Sequence, residues 1–216
     1  MEHADRWGIE WRIEAFQKSQ ANPRPRFENL LNPLAILAEL SPDRILLAPD
    51  RAELRGLEVS AAYQREHWAW HVAYTWSDAV DSKQGVDTVR GWDQTHAFSG
   101  AAQWRSGRWT AGAAISVHTG WPTTPLLKNT NDELTIGTRN GRRWPTYASL
   151  DMRVGYRLPL TRGELLFAID LTNVLDRRNR CCSELIARSS SDGTSVAAEP
   201  LSLLPVTPIF LVRWNF

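Results

Sequence analysis

Hydrophobic residues alternate with polar or small residues along most of the chain, and this period of two constrains the fold more than any other feature. In the first run, Trp7 to Ala15, apolar side chains occupy the odd positions and small or charged side chains the even positions. Successive side chains of an extended strand point to opposite faces, so the run places its apolar residues on one side. On a helix the same residues would be scattered around the axis. The pattern therefore predicts β-strands with one apolar and one polar face.

The same alternation recurs along the rest of the chain and predicts about eight strands in total. The further runs are 57–64, 68–76, 96–104, 109–117, 148–158, 165–172 and 210–216. With their flanks they reach about 9–12 residues, the length that a tilted membrane strand needs. Short links near residues 66, 106 and 161 alternate with long segments at about 18–54, 78–95, 119–146 and 176–204. This asymmetry predicts an antiparallel transmembrane β-barrel with short periplasmic turns and long extracellular loops.

Tryptophan is unusually frequent, at 11 of 216 residues, and its positions support a membrane environment. Tyr63 and Trp68 flank one predicted turn, and Trp104 and Trp109 flank the next. Aromatic residues at the same end of successive hairpins are typical of a belt at the membrane interface. A helical membrane protein is excluded, because the apolar runs fall far below the roughly 18 residues that a spanning helix needs.

The sequence contains no recognisable catalytic or cofactor motif. Its net charge of +1 gives no reason to expect nucleic acid. None of the five histidines lies in a zinc-protease pattern, and G-x-S-x-G, P-loop and G-x-G-x-x-G motifs are absent. The charged residues Glu10, Arg12 and Glu14 share one face and interleave both signs, which favours pairing along a wet wall. We therefore expect no enzyme activity, no cofactor and no metal site.

Two loop features carry further expectations. Cys181 and Cys182 are adjacent, and neighbouring thiols are not expected to form an ordinary disulfide with each other. A structural or loop-bracing role, with a cysteine now missing from the chain as partner, is the preferred interpretation. Within the first long segment, the stretch from Phe27 to Leu40 suggests a short amphipathic helix that Pro33 starts or interrupts.

The start of the sequence suggests a piece of a larger protein, and its end suggests an outer-membrane barrel. The first six residues run directly into a strand pattern without a secretory signal. The last strand ends in aromatic residues, Trp214 and Phe216. A terminal aromatic strand is expected to be the signal that outer-membrane barrels present to the barrel-assembly machinery.

Four stretches resemble the TonB-dependent outer-membrane receptors, in the carboxy-terminal part of their barrel. These stretches are Gly91 to His96, His118 to Pro125, Tyr147 to Arg153 and Leu171 to Asp176. The resemblance covers nearly the whole chain, so residues 1–216 are expected to be one barrel portion without plug domain or signal peptide. It implies a barrel of roughly 22 strands around a plugged lumen. It also implies uptake of a scarce ligand, such as a ferric siderophore, in a Gram-negative outer membrane, with lipid, a plug domain and the TonB energy-coupling complex as partners.

Several residues are predicted to bind the ligand because they lie in a polar stretch of a predicted loop, but the sequence does not identify the ligand. The candidates are Trp121, Asn129, Asn131, Arg139 and Asn140.

Two other interpretations of the whole chain stay open. One is a self-contained small barrel of eight strands with a structural or adhesion role. The other is a soluble carbohydrate-binding β-sandwich, which would have to bury Trp68, Trp70, Tyr74 and Trp76 between two sheets.

Overall fold

The computed structural model describes residues 2–4, 8–128, 134–190 and 193–216, and nearly all of their regular structure is β-strand. The strands are β1 (Glu2–Ala4), β2 (Ile9–Ala21), β3 (Arg26–Asn29), β4 (Arg44–Leu47), β5 (Arg51–Arg65), β6 (Trp68–Lys83), β7 (Val86–Val89), β8 (His96–Ser106), β9 (Trp109–His118), β10 (Pro122–Thr123), β11 (Leu126–Lys128), β12 (Leu134–Ile136), β13 (Arg142–Arg143), β14 (Tyr147–Pro159), β15 (Glu164–Thr172), β16 (Arg180–Ser190), β17 (Gly193–Ser202) and β18 (Thr207–Asn215). A 3-10 turn at Ala38–Leu40 is the one helical element within these ranges. The described part holds no helix with the length and apolarity to cross a membrane.

One antiparallel sheet contains the eight long strands that the sequence predicts. Its order is β1-β2-β5-β6-β8-β9-β14-β15-β18, and β7 pairs with the far end of β6. Neighbours in the sheet are therefore mostly neighbours in sequence, as in a meander. Within the described ranges the two ends of the sheet, β1 and β18, are not paired with each other. A self-contained barrel of eight strands would need such pairing, so this arrangement does not support that interpretation.

The register places the apolar faces of all eight strands on one side of the sheet. One continuous row runs across five of them and consists of Ile13, Val59, Tyr74, Phe98 and Val117. No second sheet covers this face in the described part, and Ile13 is 47 % exposed while Trp68 is 52 % exposed. The soluble sandwich is therefore not supported, since it would bury these aromatic residues.

The strands β5 and β6 extend well beyond the apolar band. Outward of Leu57 and Trp76, the same face becomes charged, and Arg55 pairs with Asp78 at 3.0 Å. The predicted long segments 18–54 and 78–95 are therefore partly strand, and the connections themselves are shorter. The alternation in sequence marks where one face is apolar, whereas backbone hydrogen bonding continues where both faces are polar.

The three predicted tight turns lie at one end of the sheet and the four predicted long connections at the other. The turns are Glu66-His67, Gly107-Arg108 and residues 160–163, and the long connections span 22–50, 84–95, 119–146 and 173–206. Gly163 has φ +80°, and a Cβ added there would lie 2.0 Å from the carbonyl oxygen of Asn215. This turn therefore needs glycine for both its backbone conformation and its close approach to β18.

The predicted helix from Phe27 to Leu40 is wrong. β3 and β4 pair as a small hairpin in its place, and only Ala38–Leu40 forms a 3-10 turn. The carboxylate of Asp43 accepts hydrogen bonds from the Leu31 backbone N–H and the Asn29 side chain, both at 2.9 Å. Such side-chain bonds to a turn compete with helix formation, and Pro33 reinforces the break.

The structure pairs Cys181 with Cys182 and thereby corrects the expected partner, a cysteine missing from the chain, whereas the loop-bracing role stays a prediction. Both are buried near the start of the hairpin formed by β16 and β17. The register of that hairpin shifts between Arg180 and Cys182, so that Cys181 is the extra residue of a bulge. In a regular strand adjacent side chains point to opposite faces, and a bulge removes that restriction.

Candidate functional site

The long connections form the candidate site, and we name them L1 (22–50), L2 (84–95), L3 (119–146) and L4 (173–206). Side chains from L1, L2, L3 and the end of β6 meet in a largely buried cluster of charges, the loop network. It consists of Arg26, Glu28, Asp81, Arg90, Asp93, Arg139 and Arg143. The loops are thus tied to one another as well as to their own strands.

Glu28 and Asp81 are the two carboxylates at which three arginines converge. Glu28 accepts from Arg139 of L3 at 3.1 Å and lies 3.6 Å from Arg26. Asp81 accepts from Arg90 of L2 at 2.9 Å and also pairs with Arg26. Since Arg26 contacts both carboxylates, these ion pairs connect L1, L2 and L3 into one unit.

Asp93 fastens L2 to both β6 and L3. Its carboxylate is 2 % exposed and accepts from the Ala79 backbone N–H and the Thr95 hydroxyl, each at 3.0 Å. The guanidinium of Arg143 donates to the same carboxylate at 2.5 Å. L3 also approaches itself closely here, since a Cβ added to Gly120 would lie 1.8 Å from the carbonyl oxygen of Trp144.

Buried charges of this kind are costly to separate. Removal of one partner of a buried, hydrogen-bonded ion pair leaves the other uncompensated, at a cost of about 3–5 kcal/mol where both are fully buried. The arginines of the loop network are only partly buried, which reduces the figure. The arrangement therefore holds L1 to L3 in a defined shape, and a preorganised surface loses less entropy on binding a ligand.

L3 contains the three predicted ligand residues that the structure describes. Arg139 pairs with Glu28 in the loop network. Asn140 has φ +55°, donates its backbone N–H to the Thr124 hydroxyl at 3.1 Å, and donates its side-chain amide to the Val89 carbonyl at 2.7 Å. Both side chains thus bind neighbouring loops.

Trp121 lies at the base of L3 in an aromatic cluster. Its ring packs edge-on against His118 at 4.5 Å between centroids, and His118 stacks on Tyr147 at 4.6 Å. Two other candidates, Asn129 and Asn131, lie outside the described residues. A ligand contact by any of the five residues stays a prediction.

L4 is anchored by two buried asparagines. The side chain of Asn179 accepts from the Ala148 N–H at 3.0 Å and donates to the Ala148 carbonyl at 2.8 Å. Asn173 donates its amide to the carbonyl of Leu204 at 3.0 Å. L4 also reaches L1, because the Ser183 N–H donates to the Leu31 carbonyl at 2.9 Å.

Sequence reasoning missed Glu28, Asp93, Asn173 and Asn179 as structural anchors. A signal was available for two of them. Asp93 lies within the stretch Gly91 to His96, and Asn173 within Leu171 to Asp176, which are among the stretches that carry the family resemblance. Their role in fastening loops gives a physical reason for those residue types at those positions.

The polar face of the sheet borders a cavity of about 810 Å³. Its lining combines small side chains with charged and amide groups, including Ala62, Ala101, Gly112, Ala114, Glu10, Gln103, Asp151 and Asp170. Arg12 pairs with Glu14 at 2.6 Å, as the interleaved charges predict, whereas Arg153 pairs across strands with Asp170 at 3.4 Å. The described residues include no group of three potential metal ligands.

The predicted interface aromatics all lie near the tight turns. The rings of Trp68 and Trp104 are 6.5 Å apart, and Tyr63 stacks on Trp70 at 5.9 Å. Trp109 packs against Tyr156 with centroids 4.8 Å apart. The register places these side chains on the apolar face. Their location at a membrane interface stays a prediction.

Comparison with known proteins shows which family has this architecture. The family model "TonB dependent receptor-like, beta-barrel" matches residues 19–174. No curated protein matches the chain. Among solved structures, the ferric-catecholate import receptor Fiu from E. coli K12 is similar over 100 % of this chain and 26 % of its own, with a TM-score of 0.61 and 16 % identity. The ferripyoverdine receptor of the outer membrane of Pseudomonas aeruginosa is similar over 96 % and 25 %, with a TM-score of 0.57 and 16 % identity.

These comparisons agree with the geometry of the sheet. The chain spans about a quarter of the length of each of the two similar structures. At 16 % identity those structures show the shared fold, and the family model accounts for most of the chain. The protein therefore belongs to the TonB-dependent receptor-like β-barrel family.

Proposed function

We propose that this chain is a section of barrel wall in a Gram-negative outer-membrane receptor that imports a scarce ligand, with a ferric siderophore as the leading candidate. One observation carries the proposal: eight antiparallel strands share an uncovered apolar face, while their other face is small and polar. An uncovered apolar surface of this size needs lipid. The opposite face suits a hydrated or plugged lumen.

The asymmetry of the connections supports an orientation. Outer-membrane barrels have short turns toward the periplasm and long loops toward the exterior. In this orientation L1 to L4 face the medium, and the loop network holds L1 to L3 as a preformed ligand surface. The polar inner face, with its cavity, then faces a plug domain, and uptake is driven by the TonB complex. The plug domain and the TonB complex are proposed as partners of the intact receptor.

Iron-siderophore transport is the finer part of the proposal. The two similar structures are named as a ferric-catecholate import receptor and a ferripyoverdine receptor, which supports this ligand class. We assign ligand contacts to L3, with Trp121, Arg139 and Asn140 as the described candidates. The assignment is supported by their common loop and by the polar side chains around it.

The terminal aromatic pair is assigned to recognition by the barrel-assembly machinery. The rings of Trp214, on the last strand, and Phe216, directly after it, lie 5.3 Å apart, and both side chains are exposed. Phe216→Ala in the intact receptor is expected to lower its amount in the outer membrane. An unchanged amount would contradict this assignment.

The transport proposal is tested with the intact receptor in a cell from which its gene has been deleted. Complementation is expected to restore uptake of radioactive iron from at least one siderophore in a panel of catecholates, hydroxamates and mixed types. Failure with every siderophore, with the receptor present in the outer membrane, would overturn the ligand class.

Deletion of residues 126–143 tests the L3 assignment. We expect a large loss of ligand affinity, because the deletion removes Arg139 and Asn140 and opens the loop network. Arg55→Gln is the matched control, since Arg55 belongs to an exposed ion pair outside the loop network. Full affinity after the deletion would contradict ligand binding by L3.

A further inference from the structure

The tight-turn end of the sheet carries an excess of arginine. Three glutamates lie near this end, Glu66, Glu164 and Glu10 of β2, against six arginines in or beside the three turns and the last strand. The arginines are Arg65, Arg105, Arg108, Arg157, Arg162 and Arg213, and all are exposed. In the part of the chain that the structure describes, none of the six forms a salt bridge.

At the other end of the sheet, in contrast, the arginines discussed below have acidic partners. Arg26, Arg90, Arg139 and Arg143 of the loop network each contact a carboxylate. Arg55, on the outer face near that end, also has an acidic partner in Asp78. The six arginines near the turns therefore have no ion-pair partner among the described residues, and a partner of opposite charge would complement them.

Two of the six arginines lie on the lipid-facing side of the sheet. Arg65 is the register partner of Trp68, so it occupies the apolar face. Arg108 donates to the hydroxyl of Tyr156 at 3.4 Å, and Tyr156 packs against Trp109 on that same face. By contrast, Arg157 and Arg213 flank Leu166 in the row that faces the lumen.

The aromatic neighbours of Arg65 and Arg108 indicate how deep their guanidinium groups lie in the membrane. Rings of Trp68, Trp104, Trp109 and Tyr156 lie around them. Trp and Tyr side chains prefer the level of lipid headgroups in membrane proteins. A guanidinium beyond such rings reaches the level of the phosphates, and its planar donors suit phosphate oxygens.

We propose that Arg65 and Arg108 form a binding surface for the phosphates of anionic phospholipids. The proposal rests on the proposed function, which places the tight turns at the periplasmic surface of the outer membrane. The favoured occupant is a phosphodiester lipid with net negative charge, such as phosphatidylglycerol. A zwitterionic lipid offers the same phosphate together with a positive group that the arginines repel.

The test places a fluorescent probe between the two arginines in the intact receptor, at Ser106→Cys on the outward face. The receptor is reconstituted in phosphatidylcholine vesicles that contain nitroxide-labelled phosphatidylglycerol or nitroxide-labelled phosphatidylcholine. Quenching by the two labelled lipids gives their local enrichment. We expect a preference for phosphatidylglycerol on the order of fivefold per arginine at low ionic strength, declining as salt is added.

Matched variants separate this surface from general charge. Arg65→Gln with Arg108→Gln is expected to abolish the preference, whereas Arg157→Gln with Arg213→Gln leaves it intact. A preference that survives the first pair, or disappears equally with the second, would overturn the proposal. Equal quenching by both lipids in the unmodified receptor would overturn it while leaving the membrane-facing assignment in place. If neither labelled lipid quenched the probe, the membrane-facing assignment would be contradicted, and the proposed function with it.

Discussion

Asp93→Asn is the substitution that tests most directly whether the loop network holds the long connections together. The variant keeps the size of the side chain and removes its charge. The amide oxygen can still accept from the Ala79 N–H, and the Thr95 hydroxyl, which donates to the replaced oxygen, can turn to accept from the amide nitrogen. The guanidinium of Arg143 is only a donor and loses this acceptor. One charge-assisted hydrogen bond is lost at a site that is 2 % exposed.

The expected magnitude follows from the remaining contacts. A hydrogen bond to a charged group contributes about 1.5–3 kcal/mol. Arg143 is 29 % exposed and keeps three bonds, of 3.2 Å to the carbonyls of Asp93 and Gly120 and of 3.0 Å to the Thr95 hydroxyl. We therefore expect a loss near the lower end, about 2 kcal/mol in the free energy of local opening, or roughly a 30-fold larger open population.

Hydrogen exchange measured by mass spectrometry on the intact receptor gives this quantity, because amide protection reports the free energy of local opening. Peptides from L2 and L3 are expected to lose protection, while those from β14 and β15 keep it. Asp78→Asn is the control. Its ion pair with Arg55 is exposed, with side chains 32 % and 63 % accessible, so its loss is expected to cost less than about 1 kcal/mol. Equal effects of the two variants would refute the argument that burial gives the loop network its strength.

Three further substitutions test other parts of the structure. Val72→Arg, near the middle of the apolar band, is expected to lower the free energy of unfolding by about 2–4 kcal/mol, measured by urea unfolding from lipid vesicles. Ala73→Arg on the inner face is expected to lower it much less. Similar losses for the two variants would contradict the assigned faces. Gly120→Ala is expected to expose L3 to limited proteolysis, since the added methyl meets the Trp144 carbonyl at 1.8 Å, and unchanged cleavage would contradict that close approach. Asn179→Ala leaves two backbone groups of β14 without their partner, and we expect about 1–3 kcal/mol less stability in L4 by hydrogen exchange; wild-type exchange would show that this anchor is dispensable.

The alternation of residue types determined the eight strands, their shared apolar face and the positions of the tight turns. Each of these depends on chemistry that is local in sequence. A residue such as Ile13 or Phe98 must avoid water, and a strand of period two turns every such residue to one side. Tight turns are local too, because glycine at Gly107 or Gly163 meets a backbone requirement within a few residues.

Only the tertiary structure decided how the long connections are built. Their polar residues have no period, and Glu28 and Asp93 each have an arginine partner far away in sequence, Arg139 and Arg143. The same holds for the hairpin of β3 and β4, which replaced a predicted helix because Asp43 bonds the intervening backbone. It holds also for the bulge that lets Cys181 and Cys182 join. Strand faces are set by neighbours in sequence, whereas loop conformation is set by charges and hydrogen bonds between segments that meet only once the sheet has formed.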